Sequence, residues 1–500
     1  MRKRQKCGLV DYENWRIRQK GKNAMYIVHT YEKALSFCAE GSWKNRDGLR
    51  ISYKVISEET VLGNEKGEAE ATVFSYSYIR TDIEKRESRP VIFLFNGGPG
   101  SSSMWLHLGM AAPLRIRLDC EVNPSPVPPY GLEENADSLL DVCDLVMLDP
   151  VDTGYARLLN LEAAPCYFGA VQDAQAMAMV IRDWLIRYNR YDSPKYLLSE
   201  SYGTIRSALL LREFSGGHTT NGADLAAISL NGVIMLGSAL LYEGYGDPVP
   251  VWPEILKMPA WAATNRYHHP QGKPELKQFV NEAWAFAGGE YLNALFAGEN
   301  LEEEAKKRVA RKLEYFTGIP ESLFLAQGLR LDDKGFARNV LRKEGLDVGI
   351  YDSRYTVPHM PFLKAYDTVA DDPAMGQYIY PFVGTMEGDM KRALGIKTQR
   401  PYLGINFRAG ERWGLEGMPD PIQCVVAALR RHRKLHLFFA SGLYDLCTHP
   451  GYVRYLVSHY GLPSSQMTVK EYPSGHMPYL GADGRGCLMR DIREFISQTL

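Results

Sequence analysis

Residues 199–203 read Ser-Glu-Ser-Tyr-Gly. A serine hydroxyl held at a sharp strand-to-helix turn can attack acyl groups. That turn is usually written Gly-x-Ser-x-Gly; here the first position is Ser199 and the last is Gly203. The hydroxyl needs a base, a group that orients the base, and donors for the developing oxyanion. Candidates for all three occur elsewhere in the chain. Phe95-Asn-Gly-Gly-Pro-Gly-Ser-Ser-Ser103 follows an apolar run, and its glycines let backbone approach a ligand. One N–H of that loop and the N–H of Tyr202 could together receive an oxyanion. Ser441-Gly-Leu-Tyr-Asp445 and Ser474-Gly-His476 each follow a strand-like run. Asp445 could orient an imidazole, and His476 could take the Ser201 proton.

Each segment also has a plainer reading. The glycine loop could be an ordinary turn; a phosphate loop would need Gly-Lys-Ser/Thr, which is missing. Asp445 could be a surface aspartate and His476 a turn histidine. Their order, nucleophile then acid then base, is that of α/β-hydrolases, and that favours one shared site. Other candidates rank lower. His268-His269 reads as a solvated turn rather than a metal pair, and Cys447 as a buried structural thiol.

These residues need elements to hold them. Leu49-Arg-Ile-Ser-Tyr-Lys-Val-Ile and Ala71–Ile79 alternate around a Gly63–Gly67 turn, which predicts an antiparallel pair at a sheet edge. Val91–Phe95 and Asp144–Leu148 are unbroken apolar runs, as expected of strands covered on both faces. A helical stripe (Ala176, Val180, Trp184, Ile186) is followed by strand 195–198, helix 205–213 and strand 231–236. That alternation predicts an α/β fold with a mostly parallel central sheet and antiparallel N-terminal strands. Near Tyr242 the rhythm breaks into a helical, aromatic-rich stretch with Trp252, Trp261, Tyr267, Trp284, Phe286 and Tyr291. There, Asn300-Leu-Glu-Glu303 predicts a capping box and Thr317-Gly318-Ile-Pro320 a stop, hence a helix over 301–316. Strand-like runs return at 435–439 and 467–471. The expected division is an N-terminal extension (1–48) with no clear period, a core (49–242), a largely helical cap insertion (243–415) and the rest of the core (416–500).

Composition excludes several classes. With 500 residues, 45% hydrophobic and 23% charged, the chain reads as globular, and a net charge of −1 offers nothing to nucleic acid. No apolar run approaches the length of a membrane span. The basic start Met1-Arg-Lys-Arg-Gln-Lys6 has no apolar segment behind it, so the expected location is the cytoplasm rather than export. Eight cysteines without a Cys-x-x-Cys read as buried or free thiols. No metal or other cofactor is expected, because serine, imidazole and backbone N–H groups suffice for acyl transfer.

In combination, Asn96-Gly-Gly-Pro-Gly-Ser-Ser-Ser103, Glu200-Ser-Tyr-Gly203, Asp445 after Ser441-Gly442, and Gly475-His476-Met477 resemble the serine carboxypeptidase family (peptidase family S10). Trp105–Gly109, Asp149–Tyr155, Pro259–Ala263 and Asp352–Tyr355 are similar to its bacterial branch. The resemblance spans about residues 48–500. It implies an α/β-hydrolase fold and removal of C-terminal residues from peptides through an acyl-enzyme. It also implies the roles: Ser201 nucleophile, His476 base, Asp445 its partner, Gly98 and Tyr202 N–H groups as oxyanion hole, and Asn96, Gly97 and Glu200 as contacts to the substrate carboxylate. Eukaryotic members add a second glutamate three residues before a proline; the matching proline is Pro113, and that position holds Met110. Two alternatives stay open: an esterase or acyltransferase using the same triad on small esters, and a binding protein on an inactive hydrolase fold.

Overall fold

The computed structural model describes residues 25–215, 227–241, 251–362 and 367–500. Residues 1–24 of the expected extension, with Cys7, and the break near Tyr242 lie outside them.

Ten strands make one sheet: β1 (Tyr26–Ile27), β2 (Ser36–Lys44), β3 (Arg50–Gly63), β4 (Ala69–Arg80), β5 (Val91–Phe95), β6 (Asp144–Asp149), β7 (Lys195–Glu200), β8 (Gly232–Leu236), β9 (His436–Gly442) and β10 (Met467–Tyr472). Their spatial order is β1-β3-β4-β6-β5-β7-β8-β9-β10, with β2 also paired to β3. Pairing is antiparallel from β1 and β2 through β4 to β6, then parallel from β6 to β10. This is the mostly parallel sheet with antiparallel N-terminal strands expected from the alternation, and the α/β-hydrolase architecture that the resemblance implies. Parallel strands carry their carboxyl ends to one edge, and ligands bind at such edges.

The central strands are apolar because both faces are covered. On one face lie α1 (Ala170–Arg187), α2 (Tyr202–Phe214) and α3 (Pro421–Arg431), sharing a core with Phe93, Leu197 and Phe439. On the other, α4 (Ala482–Gln498) and residues 104–116 and 374–396 pack on Leu94, Leu198 and Phe438. Trp184 of α1 crosses the Phe93 ring edge-on at 5.4 Å and donates its indole N–H to Ser77 Oγ at 2.9 Å. The stripe on α1 runs through Met177, Ile181, Trp184 and Leu185; Ile186, expected in it, is exposed, because two residues past Trp184 is off a 3.6-residue period.

Between β8 and β9 the chain is largely helical. Residues 255–348 hold a separate apolar cluster in which Trp261 stacks on Phe336 at 4.8 Å. Trp261, Phe286 and Tyr291 are buried there, whereas Tyr267 is exposed. The expected helix over 301–316 runs Glu303–Thr317. Its stop is Gly318, at φ 75°. Its expected start is wrong: Glu302 precedes the helix without a side-chain cap, and Asn300 closes a short turn before it. Two more expectations fail. β2 lies where no clear period was expected, yet Phe37, Ala39, Gly41 and Trp43 alternate with exposed residues along it. A short antiparallel pair, Leu346–Val348 with Thr356–Pro358, sits inside the stretch expected to lack strands. No helix among the described residues is long and apolar enough to cross a membrane.

Candidate active site

The site forms at the carboxyl ends of β5, β7, β8, β9 and β10. β7 ends at Glu200, and Ser201 turns the chain into α2 with φ 58° and ψ −130°, a conformation costly for any residue with a Cβ. The packing explains the elbow's letters. Ser199 is small enough to lie under the turn, and its hydroxyl exchanges a hydrogen bond with Ser207 of α2 at 2.8 Å. Gly203 faces the end of β5, where a Cβ would stand 3.0 Å from Phe95 O. A serine therefore serves in the first position, while the second allows no side chain.

The loop after β5 closes over this turn. A Cβ on Gly97 would meet Tyr202 N at 2.5 Å, so the loop backbone lies directly against the start of α2. Tyr202 is the first residue of α2, and its N–H has no partner within the helix. Buried polar groups hold the loop rigid. Arg206, paired with Asp173 at 2.6 Å, donates to Asn96 O at 2.7 Å. Ser103 donates both N–H and Oγ–H to Asp149 Oδ1 at 2.7 and 2.6 Å. Trp105 Nε1 donates to Ser101 Oγ at 3.0 Å. The loop backbone at Gly97 and the first N–H of α2 thus face each other beside Ser201.

Asp445 and His476 come together on the neighbouring strands. His476 Nδ1 lies 2.8 Å from Asp445 Oδ2. Asp445 Oδ1 accepts the N–H groups of Cys447 and Thr448 at 2.8 and 2.9 Å, and the Thr448 hydroxyl donates to Oδ2 at 2.6 Å. Burial pushes the Asp445 carboxyl up, but the imidazole and these bonds outweigh it and hold it below the usual range. Burial would lower the His476 imidazole; the Asp445 carboxylate, its hydrogen bond and Glu200 reverse that and raise it. The ring is reached from Ser201 through β8: Ser201 N–H donates to Leu236 O at 3.0 Å, and a Cβ on the next residue, Gly237, would lie 3.0 Å from the His476 ring. The insertion clamps the histidine turn from outside. His476 N–H donates to Tyr351 O at 2.6 Å, and a Cβ on Gly475 would strike Asp352 at 2.4 Å.

Next to the elbow, Asn96 Nδ2 donates to Glu200 Oε1 at 2.9 Å. Glu200 is 4% exposed, and burial pushes its carboxyl up to about 7 against the pull of His476 and of hydrogen-bonding groups on Tyr479 and Asn96. The Tyr479 hydroxyl lies within reach of Glu200 and Asn96, yet no well-aligned hydrogen bond satisfies it or Glu200 Oε2. Met110 is fully buried in the π-helical turn His107–Ala111.

Two neighbours escaped the sequence reading. Thr448 and Tyr479 each stand three residues after a candidate, Asp445 and His476. Asp-x-x-Thr is a turn pattern that could have flagged the first; nothing local marks the second. Cys447 corrects an expectation: it is solvent-exposed, although the protein atoms packed around it push its thiol up. His268 and His269 go to separate partners, Ser353 O and Glu344. No disulfide joins the seven described cysteines. No cluster of three metal-ligating side chains occurs among the described residues.

A serine on a strained strand-to-helix turn, beside a buried imidazole–carboxylate pair and two convergent backbones, is the layout of a serine hydrolase. Residues 63–247, which include the glycine loop and the elbow, match the serine carboxypeptidase family model (Peptidase_S10). No curated protein sequence matches the chain. Among solved structures it is similar to Kex1(Δ)p, a prohormone-processing carboxypeptidase from Saccharomyces cerevisiae, at 14% identity and TM-score 0.53, covering 92% of this chain and 91% of that one. Similarity to the peroxisomal α/β-hydrolase Lpx1 of the same yeast (9%, TM-score 0.35, covering 94% and 90%) is too low to bear on the argument. The same holds for an esterase from Thermogutta terrifontis (11%, TM-score 0.36, covering 86% and 94%).

Proposed function

We propose that the chain is a serine carboxypeptidase, of the family's bacterial branch, that releases C-terminal residues from peptides through an acyl-enzyme. The observation that carries this reading is the buried Asn96–Glu200 pair one residue before Ser201. A protonated carboxyl there can donate to a substrate carboxylate, whereas two bare carboxylates would repel. Asn96, Gly97 and Glu200 hold the peptide's terminal carboxylate, which sets the last peptide bond over Ser201. His476 Nε2 takes the Ser201 proton as Oγ bonds to the scissile carbonyl carbon. The carbonyl oxygen becomes an oxyanion and accepts from the Gly98 and Tyr202 N–H groups. His476 then gives its proton to the departing amine, and the C–N bond breaks. Water repeats the sequence on the ester: His476 takes its proton, the acid leaves, and Ser201 is restored. Asp445 keeps Nδ1 protonated and stabilises the imidazolium throughout.

Met110, in the place of a second glutamate, favours a second reading in which small esters are the substrates. Mass spectrometry of a mixed peptide library separates the two. A ladder of products shortened from the C-terminus supports the peptidase. Intact peptides alongside ester turnover reject it.

A further inference from the structure

We propose that Tyr479 is the second donor for the substrate's terminal carboxylate, its hydroxyl doing what a second glutamic acid would do at the position of Met110. The proposal rests on the carboxypeptidase reading and names a residue that reading lacks.

Tyr479 is 0% exposed, and its hydroxyl, within reach of Glu200 and Asn96, makes no well-aligned hydrogen bond to either. A buried polar group left unpaired is costly, and such groups in native proteins are nearly always satisfied. The second orphan at the site is Glu200 Oε2, buried and unpaired next to it. Both adjoin Asn96, whose own Nδ2 and Oδ1 are taken by Glu200 Oε1 and Leu106 N–H. Two orphans converging one residue from Ser201 match a ligand with two acceptor oxygens: one accepts from the Glu200 carboxyl, the other from the Tyr479 hydroxyl. Burial and the Glu200 charge hold the phenol well above its usual range, so it remains a donor wherever the enzyme works.

The position of the ring supports this. Tyr479 lies flat enough on Gly109 that a Cβ there would stand 2.7 Å from its Cε2. Gly109 precedes Met110 in the His107–Ala111 turn. The tyrosine therefore packs on the turn that carries Met110, and supplies a hydroxyl where the clamp lacks a second carboxyl. A neutral hydroxyl needs no shared proton, so one titrating group, Glu200, is left in the clamp.

Tyr479→Phe removes only the oxygen. It should be assayed with a blocked dipeptide as the free acid and as the C-terminal amide, alongside the rate of fluorophosphonate labelling of Ser201. A hydrogen bond to a charged group corresponds to a loss between about tenfold and a hundredfold. The expected result is that loss in kcat/KM for the free acid, mainly through KM, with the amide changed less than about twofold and labelling unchanged. Equal losses on acid and amide, or no loss on the acid, overturn the role of Tyr479 and leave the carboxypeptidase reading standing if the unaltered enzyme prefers the acid. No preference for the acid in the unaltered enzyme overturns both.

Discussion

Asn96 donates its side-chain amide to Glu200 Oε1 at 2.9 Å, which ties the loop after β5 to the last residue of β7. The bond fixes one oxygen of the carboxyl and leaves the other toward Tyr479. A carboxyl so placed, raised to about 7 by burial, is protonated at mildly acidic pH and ionised above neutrality.

That gives a pH prediction with a definite sign. His476, raised from its ordinary value, must lose its proton to act as a base, so activity climbs with pH through its titration. Glu200 must keep its proton to hold a carboxylate, so binding of free-acid peptides falls above about 7. For a free acid, kcat/KM should be bell-shaped; for the methyl ester of the same peptide only the rising limb should remain. Glu200→Gln, which stays neutral, should remove the falling limb. A steady rise for the free acid from about pH 5 to about pH 8 sinks the Glu200 role.

Backbone strain at Ser201 makes the second prediction. At φ 58° and ψ −130° a side chain is unfavourable and glycine is not. Ser201→Ala and Ser201→Gly should both abolish hydrolysis and fluorophosphonate labelling. In chemical denaturation, however, the glycine variant should exceed the alanine variant by about 1 kcal/mol, strain relief outweighing glycine's unfolded-state entropy. Equal stability of the two would show that the turn stores no such strain.

The site was legible in the sequence where its chemistry is local. Gly98, Glu200–Gly203, Asp445 and His476 could be singled out because each lies in a short segment of glycines and small residues directly after a strand. The β5–β9 frame was legible because covered strands leave apolar runs, whereas the half-exposed β10 shows only as a short alternation. What depends on contact across the chain was not. Ser199 looked like a defect in the motif until Ser207, one helix away, supplied its partner. Tyr479 reads as one more aromatic until its hydroxyl meets Glu200. β2 does carry a period, Phe37, Ala39, Gly41 and Trp43 on its inner face, but small residues in that row blur it, and the exposure of Cys447 depends on packing from elsewhere in the chain.

Gly97 should tolerate no side chain. A Cβ there would stand 2.5 Å from Tyr202 N, 2.8 Å from Glu200 O and 2.8 Å from Gly203 N, all backbone atoms that cannot swing aside. Gly97→Ala must push the loop off the start of α2 and separate the two proposed oxyanion donors. Loss of one such donor costs about a hundredfold to a thousandfold in kcat. Ester and peptide turnover should fall alike, because the oxyanion is common to both. Normal kcat in a folded Gly97→Ala protein would place the oxyanion elsewhere.

Thr448 tests how the acid and base are held. Its hydroxyl donates to Asp445 Oδ2 at 2.6 Å and lies 3.1 Å from His476 Nδ1. Thr448→Val keeps the shape and removes a donor from a buried carboxylate, which costs about 1.5–3 kcal/mol of stability. With one donor fewer, the Asp445 charge rests more heavily on His476 and favours its protonated form. The rising limb of kcat/KM should therefore move to higher pH, while Thr448→Ser, which restores the hydroxyl, returns it toward the original position. A limb that stays put in Thr448→Val while stability drops would confine Thr448 to a structural part.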